Sequence, residues 1–352
     1  QGKTRMRAWL YREDIFKKLG LQEPTDWNSF YNTLKVLKLA FPEGYPFAIP
    51  GGGKDLPVFR NFAQQFGVDY SPRGFAISEA AKHYEFATTD AMRQMLQRLK
   101  LLIDEDLLDP DFINYSTEDI YEQIKSGSIL ITHETADLLQ LVEYYGPQET
   151  ADFCLSWFQN IPMVESDLPY AVRKAQVENY GWVIAKASCK DIELAVRFID
   201  WLYSTEGIIT TNWGIEGVSF SIDEAGNKYY LEDFAADKYY ADLFFGRYIV
   251  SGVADTDAIL AFYSMKKQAM IRDTITAVKQ GAFLSERELE FREKPYASTY
   301  EYVDYMNTRS TWLQSFLLGE KDIHNDGHWQ EMKDALENKN IQGLLKVFDS
   351  IY

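Results

Sequence analysis

Basic residues are too scarce in this 352-residue chain to balance its acids: 36 Lys and Arg stand against 53 Asp and Glu, a net charge of −17. No basic stripe interrupts the acidity. Nucleic acid is therefore excluded as a partner, because a phosphate backbone needs clustered cations. An anionic membrane surface is equally disfavoured, and acidity of this size serves solubility. Cysteine is nearly absent. Cys154 and Cys189 are the only two, without C-x-x-C spacing, so no disulfide follows from the sequence and two buried thiols are expected. No apolar run reaches the length of about eighteen residues that spanning a bilayer requires. A G-x-S-x-G elbow, a zinc-finger spacing and a dinucleotide fingerprint are all missing. Gly51-Gly52-Gly53-Lys54-Asp55 has no Ser or Thr after the lysine, so it reads as a loop and not a phosphate cradle. No internal repeat or low-complexity segment is present.

Aromatics are plentiful, at 15% of the residues with 23 Tyr and 8 Trp. Core packing accounts for most of them, but surfaces that stack on sugar rings draw on the same side chains. The length suits two domains or one large bilobed body. The chain is organised around Asn179 to Ser221. Tyr180 to Ala185 has the bulk and β-branching of a strand. Ser188 and Asp191 form a capping-box start. Ile192, Ala195, Val196, Ile199, Leu202 and Tyr203 then follow the 3.6-residue period of a helix with one wide apolar face. Gly207 stops or bends it. Trp213-Gly214-Ile215-Glu216-Gly217 opens into a strand, presenting an aromatic and a carboxylate at a loop mouth.

Elsewhere, helix, glycine and strand recur. Trp9 to Asp14 reads as a strand entering a helix that Gly20 ends. Trp27, Phe30, Leu34 and Leu37 line a helical face. Thr89 caps the next helix, and Ser116 with Asp119 forms a capping box. Ser128 to Thr132 and Phe153 to Trp157 read as strands. Val218 to Ile222 and Lys228 to Leu231 form a hairpin about a five-residue loop with Gly226 at its positive-φ position. The alternation predicts an α/β fold with helices layered on a sheet. The acids of Asp104 to Asp111 are most simply a solvated helix end and turn. Asp322 to Lys333 imitates a calcium loop at three positions only, so neither a metal nor a cofactor is expected.

Several of these passages resemble one family. They are Lys186-Ala187-Ser188 through Tyr203 with Glu206-Gly207, then Trp213 to Val218, Glu105 to Phe112, and Asp223-Glu224-Ala225-Gly226-Asn227. Together they are similar to the extracellular solute-binding proteins of ABC importers, family 1, and within it to the lipoprotein branch that binds oligosaccharides. The resemblance implies a periplasmic-binding-protein-like (type II) bilobed fold with a hinge. Trp9 to Phe30 is there the crossing into the second lobe, so the first lobe is expected to be incomplete in this chain. Residues 1–178 would be the second lobe and 179–310 the return to the first, with the hairpin at 218–231. Residues 311–352 would be C-terminal helices. Pro42 to Pro50, where polysaccharide-binding relatives often carry a calcium loop, has a single carboxylate. That metal site is expected to be lost.

The function implied is extracellular capture of an oligosaccharide between two lobes and its delivery to ABC permease subunits. The protein would act as a monomer, anchored to the membrane by an N-terminal lipid or held in the periplasm, without catalysis. Tyr180, Trp182, Trp213, Glu216, Trp157, Trp9, Tyr11 and Arg12 are the candidate ligand-binding residues. Indoles would pack on sugar C–H faces while carboxylates and Arg bond hydroxyls. Structural roles compete at each position: Trp9 and Trp157 suit a core, Arg12 suits an ion pair with Asp14, and Trp27, Trp201 and Trp312 lie on apolar helix faces. The alternative function is a hydrolase or lyase acting on the same glycans, since 53 acids leave room for a catalytic pair.

Overall fold

The computed structural model describes residues 7–51, 62–70, 74–78, 82–136, 138–139, 152–164, 182–231, 253, 255–261, 267–273 and 299–349. The chain divides into two compact units: residues 4–174 with 272–352, and residues 175–271 with 1–3. Of the stretches read from sequence, Tyr180, most of the Gly51–Asp55 loop and the charged run 286–294 lie outside the described residues.

The larger unit begins with β1 (Arg7–Arg12), the centre of a three-stranded antiparallel sheet. It runs directly into α1 (Glu13–Leu19), which Gly20 closes in the left-handed region at φ 66°. Asp26 and Ser29 form a capping box at the start of α2 (Trp27–Ala40). A small hairpin of β2 (Ala76–Ile77) and β3 (His83–Tyr84) follows. Next come α3 (Asp90–Asp104), capped by Thr89, and α4 (Thr117–Ser126), whose capping box is Ser116 with Asp119 as read from the sequence. Then β4 (Ile131–Thr135) and β5 (Leu155–Phe158) flank β1, pairing Trp9 with His133 on one side and Phe158 on the other.

The smaller unit contains α5 (Ile192–Leu202), α6 (Thr205–Asn212), the hairpin β6 (Phe220–Ile222) and β7 (Lys228–Tyr230), and α7 (Thr256–Ala261). Its hairpin has the five-residue loop expected, with Gly226 at φ 85°. The chain then returns to the larger unit with α8 (Tyr300–Leu317), α9 (Asp326–Glu337) and α10 (Ile341–Asp349).

Two local readings are corrected. Residues 182–185 form no strand. The helix after them starts at Ile192 and not at Ser188, because the Asp191 carboxylate accepts the Leu194 N–H at 2.9 Å and is the cap. Gly207 neither ends nor bends that helix. It sits in the first turn of α6, where a Cβ would lie 1.9 Å from the Trp201 carbonyl oxygen, so only glycine allows the two helices so close.

The apolar face of α5 is largely open. On that face Leu202 is 3% exposed, whereas Ile192 and Val196 are each 43% exposed; Leu194, off that face, is 63% exposed. Leu202→Ala is therefore expected to cost about 2–4 kcal/mol. Leu194→Ala should cost less than about 0.5 kcal/mol, because little surface is removed from water at that position. Urea midpoints of the two variants check this, and equal losses would contradict the exposure pattern.

Candidate functional site

In the larger unit the hydrophobic alternation of β1 sends Trp9 and Tyr11 to one face of the sheet and Leu10 and Arg12 to the other. Trp9 is fully buried. Its ring lies 4.7 Å from Phe30, 5.5 Å from Phe47 and stacks on Phe158 at 5.7 Å. Its Nε1–H donates to Gln65 Oε1 at 2.7 Å. With both indole faces and the N–H occupied, Trp9 is a core residue and not a stacking surface.

Tyr11 is also buried against Phe16, at 4.4 Å, and its hydroxyl donates to Glu23 Oε1 at 2.8 Å. Burial first, then that bond, raises its pKa above the ordinary phenol value. Arg12 makes a two-pronged contact with Asp14, Nε to Oδ1 at 2.9 Å and Nη2 to Oδ2 at 2.7 Å. Its Nη1 donates to the Ile124 carbonyl at 3.3 Å, and the guanidinium lies 4.1 Å from the Phe153 ring centre. The ion pair weighed in the sequence reading is what the structure contains. A cavity of about 620 Å³ beside it is lined by Arg12, Asp14, Lys17, Lys18, Asp152 and Cys154, among others.

Trp157 sits on β5 opposite Leu10, on the reverse face of the sheet from Trp9. It is half-buried, and its Nε1–H donates to Asp273 Oδ2 at 3.3 Å.

In the smaller unit Trp182 is 43% exposed. Phe198 meets it edge-to-face at 6.3 Å and stacks on Trp201 at 6.0 Å, giving a three-ring surface. Phe198 was not nominated from sequence, although its i, i+3 spacing to Trp201 on one helix was available as a signal.

Trp213 and Glu216, expected as a pair, part company. Trp213 is 2% exposed, stacked on Tyr230 at 4.9 Å, and donates its Nε1–H to Asp255 Oδ2 at 2.8 Å. Glu216 points into solvent from a turn between Gly214 at φ 88° and Gly217 at φ 77°. The turn is pinned by Ser219, whose Oγ accepts the Ile215 N–H and donates to the Trp213 carbonyl, both at 2.8 Å. The indole serves the core and the carboxylate remains available.

Cys154 and Cys189 are half-exposed and unbridged, not buried as expected. Trp27, Trp201 and Trp312 are likewise half-buried instead of core residues. Among the described residues no group of three His, Cys, Asp or Glu side chains could hold a metal ion, and no helix is long and apolar enough to cross a membrane.

The backbone shares its fold with solved structures of known proteins. A crystal structure of the alginate-binding protein AlgQ2 without calcium superposes with a TM-score of 0.66 at 19% identity, covering 98% of this chain and 71% of that one. An HMO-binding, ABC-transporter-associated solute-binding protein from Bifidobacterium longum infantis gives 0.67 at 15% identity, covering 99% and 74%. The Streptococcus pneumoniae substrate-binding protein FusA, solved with fructo-nystose, gives 0.59 at 16% identity, covering 100% and 72%. These likenesses establish the periplasmic-binding-protein-like fold. In sequence, lipoprotein LipO of Bacillus subtilis (strain 168) is 24% identical over 235 residues, 61% of this chain. The match spans 44% of LipO. Residues 6–209, more than half of the chain, match the pattern of one family, and the chain belongs to it: the bacterial extracellular solute-binding proteins.

Proposed function

We propose that this protein is the extracellular receptor of an ABC importer and captures an oligosaccharide for delivery to permease subunits. Family membership across residues 6–209 carries this reading. Related structures include alginate-binding and HMO-binding proteins and complexes with fructo-nystose and Man1GlcNAc, which favours a carbohydrate ligand here. In the reading proposed, residues 1–178 form one lobe and the return to the other begins at residue 179. The protein works as a monomer outside the cell, held by a lipid anchor or in the periplasm, and its ligand leaves unaltered.

Trp182 and Glu216 are the groups best suited to the ligand. An exposed indole offers an apolar face to sugar C–H groups. An exposed carboxylate accepts hydroxyl protons in charge-assisted bonds. Trp157, half-buried on β5, is the candidate contact of the larger unit taken by itself. Both Trp182 and Glu216 are accessible, so their substitution leaves the fold intact. Trp182→Ala is expected to weaken glycan affinity by about tenfold or more, equivalent to about 1.4 kcal/mol. Glu216→Gln should weaken it by about fivefold. Both melting temperatures should stay within about a degree of the parent. Calorimetric titration checks the affinities; unchanged binding removes these two residues from the site. Chromatography of the incubated glycan should return intact chains, whereas cleaved chains would establish the hydrolase or lyase alternative.

A further inference from the structure

We infer that Arg98, seated on the Trp27 ring, is a binding group for a carboxylate. Both residues belong to the larger unit, Trp27 at the start of α2 and Arg98 within α3.

The Arg98 guanidinium centre is 4.7 Å from the Trp27 ring centre, a cation–π contact that fixes the plane of the fork. What it lacks is a counter-charge. Arg7, Arg12, Arg93, Arg197 and Arg309 each meet a carboxylate oxygen within 3.3 Å. Among the described residues Arg98 meets neither a carboxylate nor a carbonyl, in a chain where 53 acids face 36 bases. Its Nη1 is closed off from solvent without an acceptor, while the residue as a whole is half-buried. That leaves the Nε–Nη2 edge to meet a ligand. Arg12 uses the same edge to hold Asp14, at 2.9 and 2.7 Å.

Burial, with no carboxylate to offset it, holds the Arg98 pKa below the ordinary guanidinium value, yet the group keeps its charge. A half-buried charge without a partner costs the fold free energy. Such groups are found where a ligand completes the pairing.

The surroundings suit a small acid with an apolar face. Tyr31, one turn after Trp27, holds its ring 6.0 Å away and within 12° of parallel. Lys35, a turn further, places its ammonium 5.2 Å from the Tyr31 ring centre. Glu105, just past α3, is engaged elsewhere: the Tyr31 hydroxyl lies 2.8 and 2.6 Å from its two oxygens. One fork with one charge matches one carboxylate, and the half-buried rings of Trp27 and Tyr31 offer apolar surface to sugar C–H groups. A free sugar acid and a uronate unit within a glycan both present this chemistry, and the test separates them.

Galacturonate, trigalacturonate and, as a control lacking only the carboxylate, galactose are titrated into the intact chain at about 20 mM salt, where screening is weak. The Arg98 Nε–H resonance, assigned by its loss in Arg98→Met, reads occupancy, and calorimetry reads affinity. Galacturonate should shift that resonance and saturate it in the millimolar range; galactose should leave it in place. Arg98→Met should weaken binding of the acid by at least about tenfold. Without ligand the variant should melt at or above the parent, because an unpaired half-buried charge has been removed. Trigalacturonate binding about tenfold or more tighter than the monomer assigns the site to a glycan, and a smaller gain assigns it to the free acid. An Arg98 resonance unmoved by either acid, or equal affinity in Arg98→Met, would overturn the inference. So would a variant melting about 5 °C or more below the parent, since the arginine would then serve as a cover for Trp27. The oligosaccharide reading, tested through Trp182 and Glu216, is untouched by any of these results.

Discussion

Arg309→Met is expected to be among the most damaging single changes in the larger unit, lowering stability by about 3–5 kcal/mol. The arginine lies on α8 with its side chain 2% exposed, and Glu85, 3% exposed, holds it from the turn before α3. Nη1 reaches the two Glu85 oxygens at 3.4 and 3.3 Å and the Gly74 carbonyl at 2.8 Å. The guanidinium also lies 4.7 Å from the Phe86 ring centre. Glu85 in turn accepts the Tyr305 hydroxyl and the Ala87 N–H. Burial alone would lower the arginine's pKa, but the Glu85 charge and nearby phenols outweigh it and hold the value above normal. Burial drives the Tyr305 hydroxyl upward as well. The cluster ties α8 to Gly74, Glu85 and Phe86.

Removing the cation strands the Glu85 charge in a dry interior, and that stranded charge sets the size of the loss. The Glu85→Gln, Arg309→Met double variant should therefore be less destabilised than Arg309→Met alone, by about 1–3 kcal/mol. Urea unfolding of the four proteins in the cycle decides the matter. A double variant as unstable as the sum of the singles would mean that the two residues act independently.

Local elements were legible wherever backbone chemistry decides them. Asp119 three places after Ser116, Thr89 before α3, and Gly20 and Gly226 at positive φ are short-range features needing no knowledge of distant chain. The hairpin of β6 and β7 belongs to the same class. What failed depends on which side of an element meets another. The β1 pattern gives alternate faces but not that Phe30, Phe47, Phe62 and Phe158 enclose Trp9. Trp213 next to glycines suggested a loop mouth, yet Asp255, some forty residues on, draws the indole inward. The face of α5 has the period of a buried helix, and its exposure is invisible to any periodicity. Of the candidate residues, Trp182 and Glu216 are accessible, while Trp9, Tyr11, Arg12 and Trp213 are packed or paired within the fold.

Acid should destabilise the larger unit through His133. This histidine is fully buried on β4, with Nε2 2.8 Å from Asn160 Oδ1 and 3.5 Å from Gln65 Nε2. The Asn160 oxygen accepts a hydrogen bond from Nε2–H, which leaves Nδ1 unprotonated and without a partner. Protonation would place a second N–H, now charged, where nothing accepts it. Burial accordingly lowers the pKa to about 3, with the Asn160 bond working weakly against the shift and Arg7 adding to it.

The folded value lies below the unfolded one of about 6.5, so the unfolded state binds the extra proton. The stabilisation is complete above pH 6.5 and fades as pH falls toward 3. Between pH 7 and pH 4 this one group should remove about 3 kcal/mol, at 1.36 kcal/mol per pH unit below 6.5. His133→Gln keeps a buried amide in place of the imidazole but cannot titrate. Its stability, though lower at pH 7, should fall less steeply between pH 6.5 and 4 than that of the parent. Nitrogen chemical shifts of the parent histidines give a second reading: His133 should remain neutral at pH 5, where exposed imidazoles are charged. A charged His133 at that pH, or parallel stability profiles for parent and variant, would show that water reaches Nδ1.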